Sequence, residues 1–135
     1  MVNPLIHIHP PVALALKNGE PVVALESTIV AHGMPYPANI ETVQTLESLV
    51  WSGGAVPATV AVANGQIHIG CDADMLHALA SEEGVWKISR RDMPLALAKG
   101  VLGATTVSGT LIGAAHAGIP VFSTGGIGGV HRGVA

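Results

Sequence analysis

A chain of 135 residues has room for one domain and little more. Hydrophobic residues make up 49% and charged residues 11%, which excludes the disordered class. The formal net charge is −3 and the only adjacent cationic pair is Arg90-Arg91, so the basic stripe that a nucleic-acid polymer demands is missing and any bound phosphate is expected on a small molecule.

The first dozen residues are rich in proline and histidine and are expected to form a surface arm. A short helix is predicted over Pro11–Asn18, capped by Gly19. The apolar run Pro21-Val22-Val23-Ala24-Leu25 fits a strand buried on both faces and ends in Glu26-Ser27-Thr28. Two prolines and a glycine then keep His32–Pro37 out of regular structure. The next helix is expected to start at Asn39 as its N-cap, with Ile40, Val43, Leu46 and Val50 on one apolar face and Gly53-Gly54 after its end.

Val56–Val62 reads as a strand. Asn64-Gly65 suits a type I′ turn and leads into a second hairpin strand, Gln66–Ile69. A helix follows over Asp74–Ala80. Val85–Ser89 reads as a strand running into Arg90-Arg91-Asp92. Helices are predicted over Pro94–Lys99 and Thr106–Ala117, and a strand over Pro120–Ser123 runs into the glycine-rich segment from Thr124 to Gly133. Alternating strands and helices predict an α/β fold, layered α/β/α with a largely parallel central sheet. The last strand has no helix after it, so the fold is expected to be incomplete at its C-terminus, with residues 1–135 as the N-terminal part of a single domain.

Polar residues gather just after apolar strands, where ligands bind in open α/β sheets. Glu26 ends one such strand; partial desolvation there favours its protonated form, which suits proton transfer near neutrality. The alternative is a glutamate that caps backbone or pairs with an arginine. Lys87 and Ser89 share a strand face, and Arg90 and Arg91 suit phosphate or carboxylate; a solvated turn neutralised by Asp92 reads equally well. Thr105–Ser108 either faces a ligand at a helix start or simply caps that helix. The turn from Thr124 to Gly133 can cradle an anion with its backbone N–H groups, or it is a tight packing turn; it matches neither a Walker loop nor the dinucleotide fingerprint. His7, His9, His68, His77 and His116 have no metal-ligand spacing and read as structural or surface groups, whereas His32 and His131 lie in loops beside the candidate site. Cys71, the only cysteine, reads as a small buried residue; no disulfide can form within the chain, and a cytoplasmic setting with no membrane span is expected.

Taken together, Pro21–Ile29, His32-Gly33-Met34-Pro35, Gly54–Thr59, Ser89–Asp92, Gly103–Val107 and Thr124–Gly133 resemble, in order and spacing, the pseudouridine-5′-phosphate glycosidase family, also labelled indigoidine synthase A-like. The resemblance implies an α/β/α enzyme, assembled as a homotrimer, that reversibly splits the C–C glycosidic bond of pseudouridine 5′-phosphate into uracil and ribose 5-phosphate. It implies Glu26 as proton donor, Lys87 and Val107 as substrate contacts, and Thr124 and His131 as pocket-lining residues. It also implies a divalent metal, typically Mn2+, and a lysine that holds C1′ of the sugar as an imine. The family places that lysine and the metal-ligand aspartate downstream of the glycine-rich motif, beyond residue 135, so no metal ligand is assigned within this chain and the isolated chain is expected to be inactive. The alternative function is a non-catalytic sugar-phosphate-binding or assembly module. A third reading is a related enzyme of pigment biosynthesis.

Overall fold

The structure is a computed structural model and describes residues 3–128 and 132–133. Its strands are β1 (Ile6–Ile8), β2 (Val22–Leu25), β3 (Val56–Ala63), β4 (Gln66–Ile69), β5 (Trp86–Ile88), β6 (Gly103–Thr105) and β7 (Val121–Ser123). Its α-helices are α1 (Pro10–Asn18), α2 (Ala38–Ser52), α3 (Ala73–Ser81), α4 (Met93–Lys99) and α5 (Val107–Ala117), and one π-helical turn spans Ile29–Gly33.

All seven strands join one sheet built around β3, whose eight residues are all buried. A strand covered on both faces has no solvated side, so its sequence, Val-Pro-Ala-Thr-Val-Ala-Val-Ala, shows little polar alternation. Four pairings are parallel (β1 with β4, β2 with β3, β2 with β7, β5 with β6) and two antiparallel (β3 with β4 and β6), so the sheet is mostly parallel. The β3–β4 hairpin turns on Asn64 and Gly65, both at positive φ (52° and 76°), as a type I′ turn requires.

One face of the sheet presents Val22, Ala24, Val60, Val62 and Ile88 to Val12 and Ala15 of α1, Met93 and Ala96 of α4, and Ala114 of α5. The other presents Ala61 and Ala104 to Ile40 and Val43 of α2, Leu76 and Leu79 of α3, and Val30 of the π-helical turn. This is the three-layered α/β/α arrangement expected. Close packing of α5 depends on its small residues: a Cβ added at Gly113 would lie 2.8 Å from Val60 Cγ1.

Several expectations need correction. Residues 6–8 are not a loose arm: Ile6 and Ile8 flank His7 with the period of a strand, and β1 extends the sheet in parallel register with Ile67–Ile69. Asn39 is not an N-cap; that position is Pro37, with no side-chain cap. Asn39 is 2% exposed, and its Nδ2 donates to the carbonyls of Val30 (2.7 Å) and Ala80 (2.8 Å), tying the π-helical turn and α3 to α2. On α2 the buried stripe stops after Ile40 and Val43, because Leu46 lies at the exposed end of that face. Finally, Gly103–Thr105, where no strand was expected, forms β6, and His32-Gly33 close the π-helical turn rather than beginning an irregular segment.

Candidate functional site

The site-forming feature of the sheet is a head-on meeting of strands. β4 fills one edge of β3. Along the other edge β2 pairs with residues 56–59 in parallel and β6 pairs with Ala61 and Val62 in antiparallel. β2 and β6 therefore run toward each other and stop on either side of Val60. β7 runs parallel beside β2, and β5 runs parallel beside β6. The C-terminal tips of four strands consequently meet at one junction, the place where open α/β sheets bind ligands.

Glu26 leaves the tip of β2 and Thr124 leaves the tip of β7. The register Ala24↔Phe122, Leu25↔Ser123 sets these two residues side by side, and the Thr124 hydroxyl donates to Glu26 Oε1 in a short hydrogen bond. The carboxyl group is half-buried, with one oxygen held by a neutral donor. Gly125 to Gly128 follow Thr124 as an exposed segment. His131 lies outside the described residues. His32 lies in the last part of the π-helical turn, before Gly33, and is exposed.

On the far side of the junction, Thr106 follows β6 and caps α5, its side chain accepting from the N–H of Gly109 at 3.5 Å. Val107 is thus the first residue of α5 and is half-buried. Ser108 Oγ accepts from the N–H of Arg90 at 3.1 Å, linking the turn after β5 to the start of α5. Ser89, Arg90, Arg91, Pro94 and Ser108 line an open groove of about 690 Å³ beside that helix start. The Ser89 hydroxyl and N–H both donate to Asp92 Oδ2, at 2.6 and 3.0 Å. Those bonds, with the Arg91 guanidinium 3.7 Å away as a smaller influence, hold the Asp92 carboxyl below its usual range. Asp92 therefore offsets Arg91, and among the described residues Arg90 makes no ion pair.

Lys87 sits one residue before the tip of β5, opposite Ala104. It shares the side of the sheet that Ala104 turns toward α2 and α3, while Ile88 faces the α1, α4 and α5 layer. It is exposed, and among the described residues no hydrogen bond or ion pair joins it to Glu26. The structure thus brings Glu26 and Thr124 into contact, places Val107 at the opposing helix start, and sets Lys87 at the outer edge of the junction.

Sequence reasoning gave Ser27 no role and read Thr105 as ligand-facing or capping, whereas both are fully buried and hold the junction together. Where β2 and β6 both stop, the Val60 carbonyl has no strand N–H to accept from on that edge. Two fully buried hydroxyls donate to it instead: Ser27 Oγ at 2.5 Å and Thr105 Oγ1 at 2.7 Å. Ser27 Oγ also accepts from the N–H of Thr105 at 2.8 Å. Since the Thr105 hydroxyl spends its proton on Val60, its 2.8 Å contact with Thr110 is a bond that Thr110 donates. The Ser27 N–H and the Thr28 hydroxyl both donate to the Thr105 carbonyl, at 3.3 and 2.8 Å. An unsatisfied buried carbonyl costs about 1–3 kcal/mol, so hydroxyl residues are what this gap requires. The only sequence signal was a pair of hydroxyl residues just past, or at, the end of an apolar strand.

The rings of His7 and His68 pack 4.8 Å apart across β1 and β4, and burial pushes His68 below its usual range. Cys71 is buried, its Sγ donating to the Thr59 carbonyl, and burial drives its thiol far upward. Among the described residues no three His, Cys, Asp or Glu side chains converge to hold a metal ion.

Residues 11–135 match the family described as Indigoidine synthase A like protein. The chain belongs to this family. It is 59% identical over 133 residues to the pseudouridine-5′-phosphate glycosidase of Rhodospirillum centenum, covering 98% of this chain and 41% of that protein. It is 56% identical to the protein of the same name from Deinococcus radiodurans, covering 95% of this chain and 41% of the relative. Among solved structures, the prealnumycin C-glycosynthase AlnA in complex with ribulose 5-phosphate superposes with a TM-score of 0.86 at 44% identity, over 97% of this chain and 42% of that one. An indigoidine synthase A-like protein of Thermotoga maritima superposes with a TM-score of 0.82 at 32% identity, over 96% of this chain and 42% of that one. The chain spans about two-fifths of the length of these relatives and carries the family's mostly parallel α/β layering.

Proposed function

We propose that the protein carrying this chain reversibly cleaves the C–C glycosidic bond of pseudouridine 5′-phosphate, releasing uracil and ribose 5-phosphate as a lyase of C-glycosides. The observation that carries this reading is the Glu26 carboxyl, held by the Thr124 hydroxyl at the junction of four strand tips. The names of relatives more than half identical over nearly the whole chain support the same reaction. So does a structural relative that makes a C-glycoside and binds a sugar phosphate.

Breaking a carbon–carbon bond to a base requires a proton at the base carbon as the bonding electrons return to it. Glu26 is proposed to deliver that proton and, in the synthetic direction, to take it back. Thr124 orients the carboxyl by occupying one oxygen, which leaves the other to carry the proton. Val107 and the groove at the start of α5 offer a second wall for the substrate, where free helix N–H groups and Arg90 favour an anion. Lys87, on the α2 and α3 side at the edge of the sheet, is a mobile cation proposed to contact the substrate. His131 is proposed to line the pocket with them. Manganese belongs to this proposal only through ligands outside the described residues, since those residues bring no metal-binding set together. The imine-forming lysine is likewise expected beyond residue 135. Assembly as a homotrimer and a cytoplasmic setting complete the proposal. Among the described residues, no helix is long and apolar enough to cross a membrane.

The test is direct. Uracil release from pseudouridine 5′-phosphate, and its reversal with ribose 5-phosphate, is measured on the protein that carries this chain, with and without manganese. Turnover in both directions is the expected result. Binding of ribose 5-phosphate without turnover would favour the sugar-phosphate-binding module instead.

A further inference from the structure

We infer that Ser27 and Thr105 are positioning residues, whose hydroxyls set the separation between the Glu26 carboxyl and the start of α5. The inference rests on the function proposed above and adds two residues to its machinery. Glu26 is the residue before Ser27, and Thr106, the cap of α5, is the residue after Thr105. The two tips that carry them run at each other without a shared ladder. What spaces them is the clip itself: both hydroxyls on the Val60 carbonyl, the Thr105 N–H on Ser27 Oγ, and the Ser27 N–H and Thr28 hydroxyl on the Thr105 carbonyl. Ser27 and Thr105 are fully buried, so water cannot replace either hydroxyl without opening the junction. Thr105 has its proton committed to Val60 and its lone pair to Thr110, which leaves one orientation for the side chain. A rigid clip of this kind fixes one wall of a site against the other, which is where misplacement is most costly to catalysis.

The variants are Ser27→Ala, Thr105→Val and Thr105→Ser in the protein that carries this chain. Leu79→Ala serves as a destabilised control, because Leu79 is buried on α3 and has no polar side-chain atom with which to join the clip. Thr105→Val keeps the shape and loses the hydroxyl; Thr105→Ser keeps the hydroxyl. Ser27→Ala and Thr105→Val are expected to lower kcat about 10- to 100-fold, with KM changing much less. Thr105→Ser is expected to restore most of kcat. Leu79→Ala is expected to lower Tm at least as much while keeping kcat at assay temperatures below its transition. The carboxyl 13C resonance of Glu26 at fixed pH gives a readout that needs no turnover. It is expected to move in Ser27→Ala and Thr105→Val and to stay in place in Leu79→Ala. A wild-type protein that does not cleave pseudouridine 5′-phosphate sinks the proposed reaction, and the resonance then decides the clip alone. An unmoved resonance in Thr105→Val, or a loss of kcat in Leu79→Ala equal to that in Thr105→Val, overturns the positioning role.

Discussion

Glu26 owes its place to two neighbours of different kinds. The apolar run before it carries the chain to the end of β2, and Thr124, ninety-eight residues later, donates the hydrogen bond that aims the carboxyl. Replacing Glu26 by Gln keeps the shape and the acceptor for Thr124 but cannot deliver a proton. On the proposed mechanism Glu26→Gln is expected to lower kcat by roughly 10²- to 10⁴-fold. Ribose 5-phosphate binding, measured by calorimetry, is expected to be largely retained. A second carboxyl behaves differently. Glu47 of α2 accepts from Thr59 Oγ1 at 2.6 Å, yet burial outweighs that bond and raises its pKa. The folded chain therefore binds the Glu47 proton to a higher pH than the unfolded chain does, and stability falls as pH rises from the ordinary glutamate range through the folded value. Glu47→Gln, which can still accept from Thr59, is expected to raise Tm near neutral pH. The gain should shrink as pH falls and vanish by about pH 3, where the carboxyl is protonated in both states. Thermal melts across pH read this out.

At the scale of elements, the contact between α5 and the sheet sets the tightest tolerance. Gly113 lets the helix approach β3 and β4; a Cβ there would stand 2.8 Å from Val60 Cγ1 and 3.3 Å from Ile67 Cγ2. Alanine favours a helix over glycine by roughly 0.5–1 kcal/mol, whereas overpacking costs about 1–3 kcal/mol. Packing wins, so Gly113→Ala is expected to be net destabilising by up to about 2 kcal/mol in urea unfolding. The same change would lift the start of α5 from the junction, and substrate affinity is expected to weaken with it. Most elements were legible from local pattern. The Asn-Gly turn and the glycines closing α1, α4 and α5 are backbone requirements that a short segment states by itself. The failures share a cause. Three-residue strands such as β1 and β6 carry too few positions for a period to register, and they exist because β4, β3 and β5 offer them an edge. Asn39 has the chemistry of a cap but spends it on two carbonyls brought close by folding.

For the whole molecule, the consequence of the topology is a junction of strand tips drawn from distant parts of the chain: β2 with Glu26, β5 and β6 with Ser89 and Thr106 after them, and β7 with Thr124. The chain spans about two-fifths of its curated relatives, and the family's lysine is expected beyond residue 135. Residues 1–135 expressed by themselves are therefore expected to show no uracil release from pseudouridine 5′-phosphate, while the protein that carries them does. A discontinuous uracil assay at matched concentrations separates the two, and robust turnover by residues 1–135 would overturn the assignment of the covalent step. What the amino-acid sequence determined unaided was the alternation of strands and helices, the burial of β2, and the residues standing at strand ends, because these follow from local periodicity, turn chemistry and hydrophobicity. Which ends meet was decided only in three dimensions. β2 and β6 share one edge of β3 from opposite directions, and the buried hydroxyls that close the gap between them answer a carbonyl left unpaired by that meeting. Such a vacancy has no counterpart along the chain, since it is created by strands far apart in sequence stopping at the same residue.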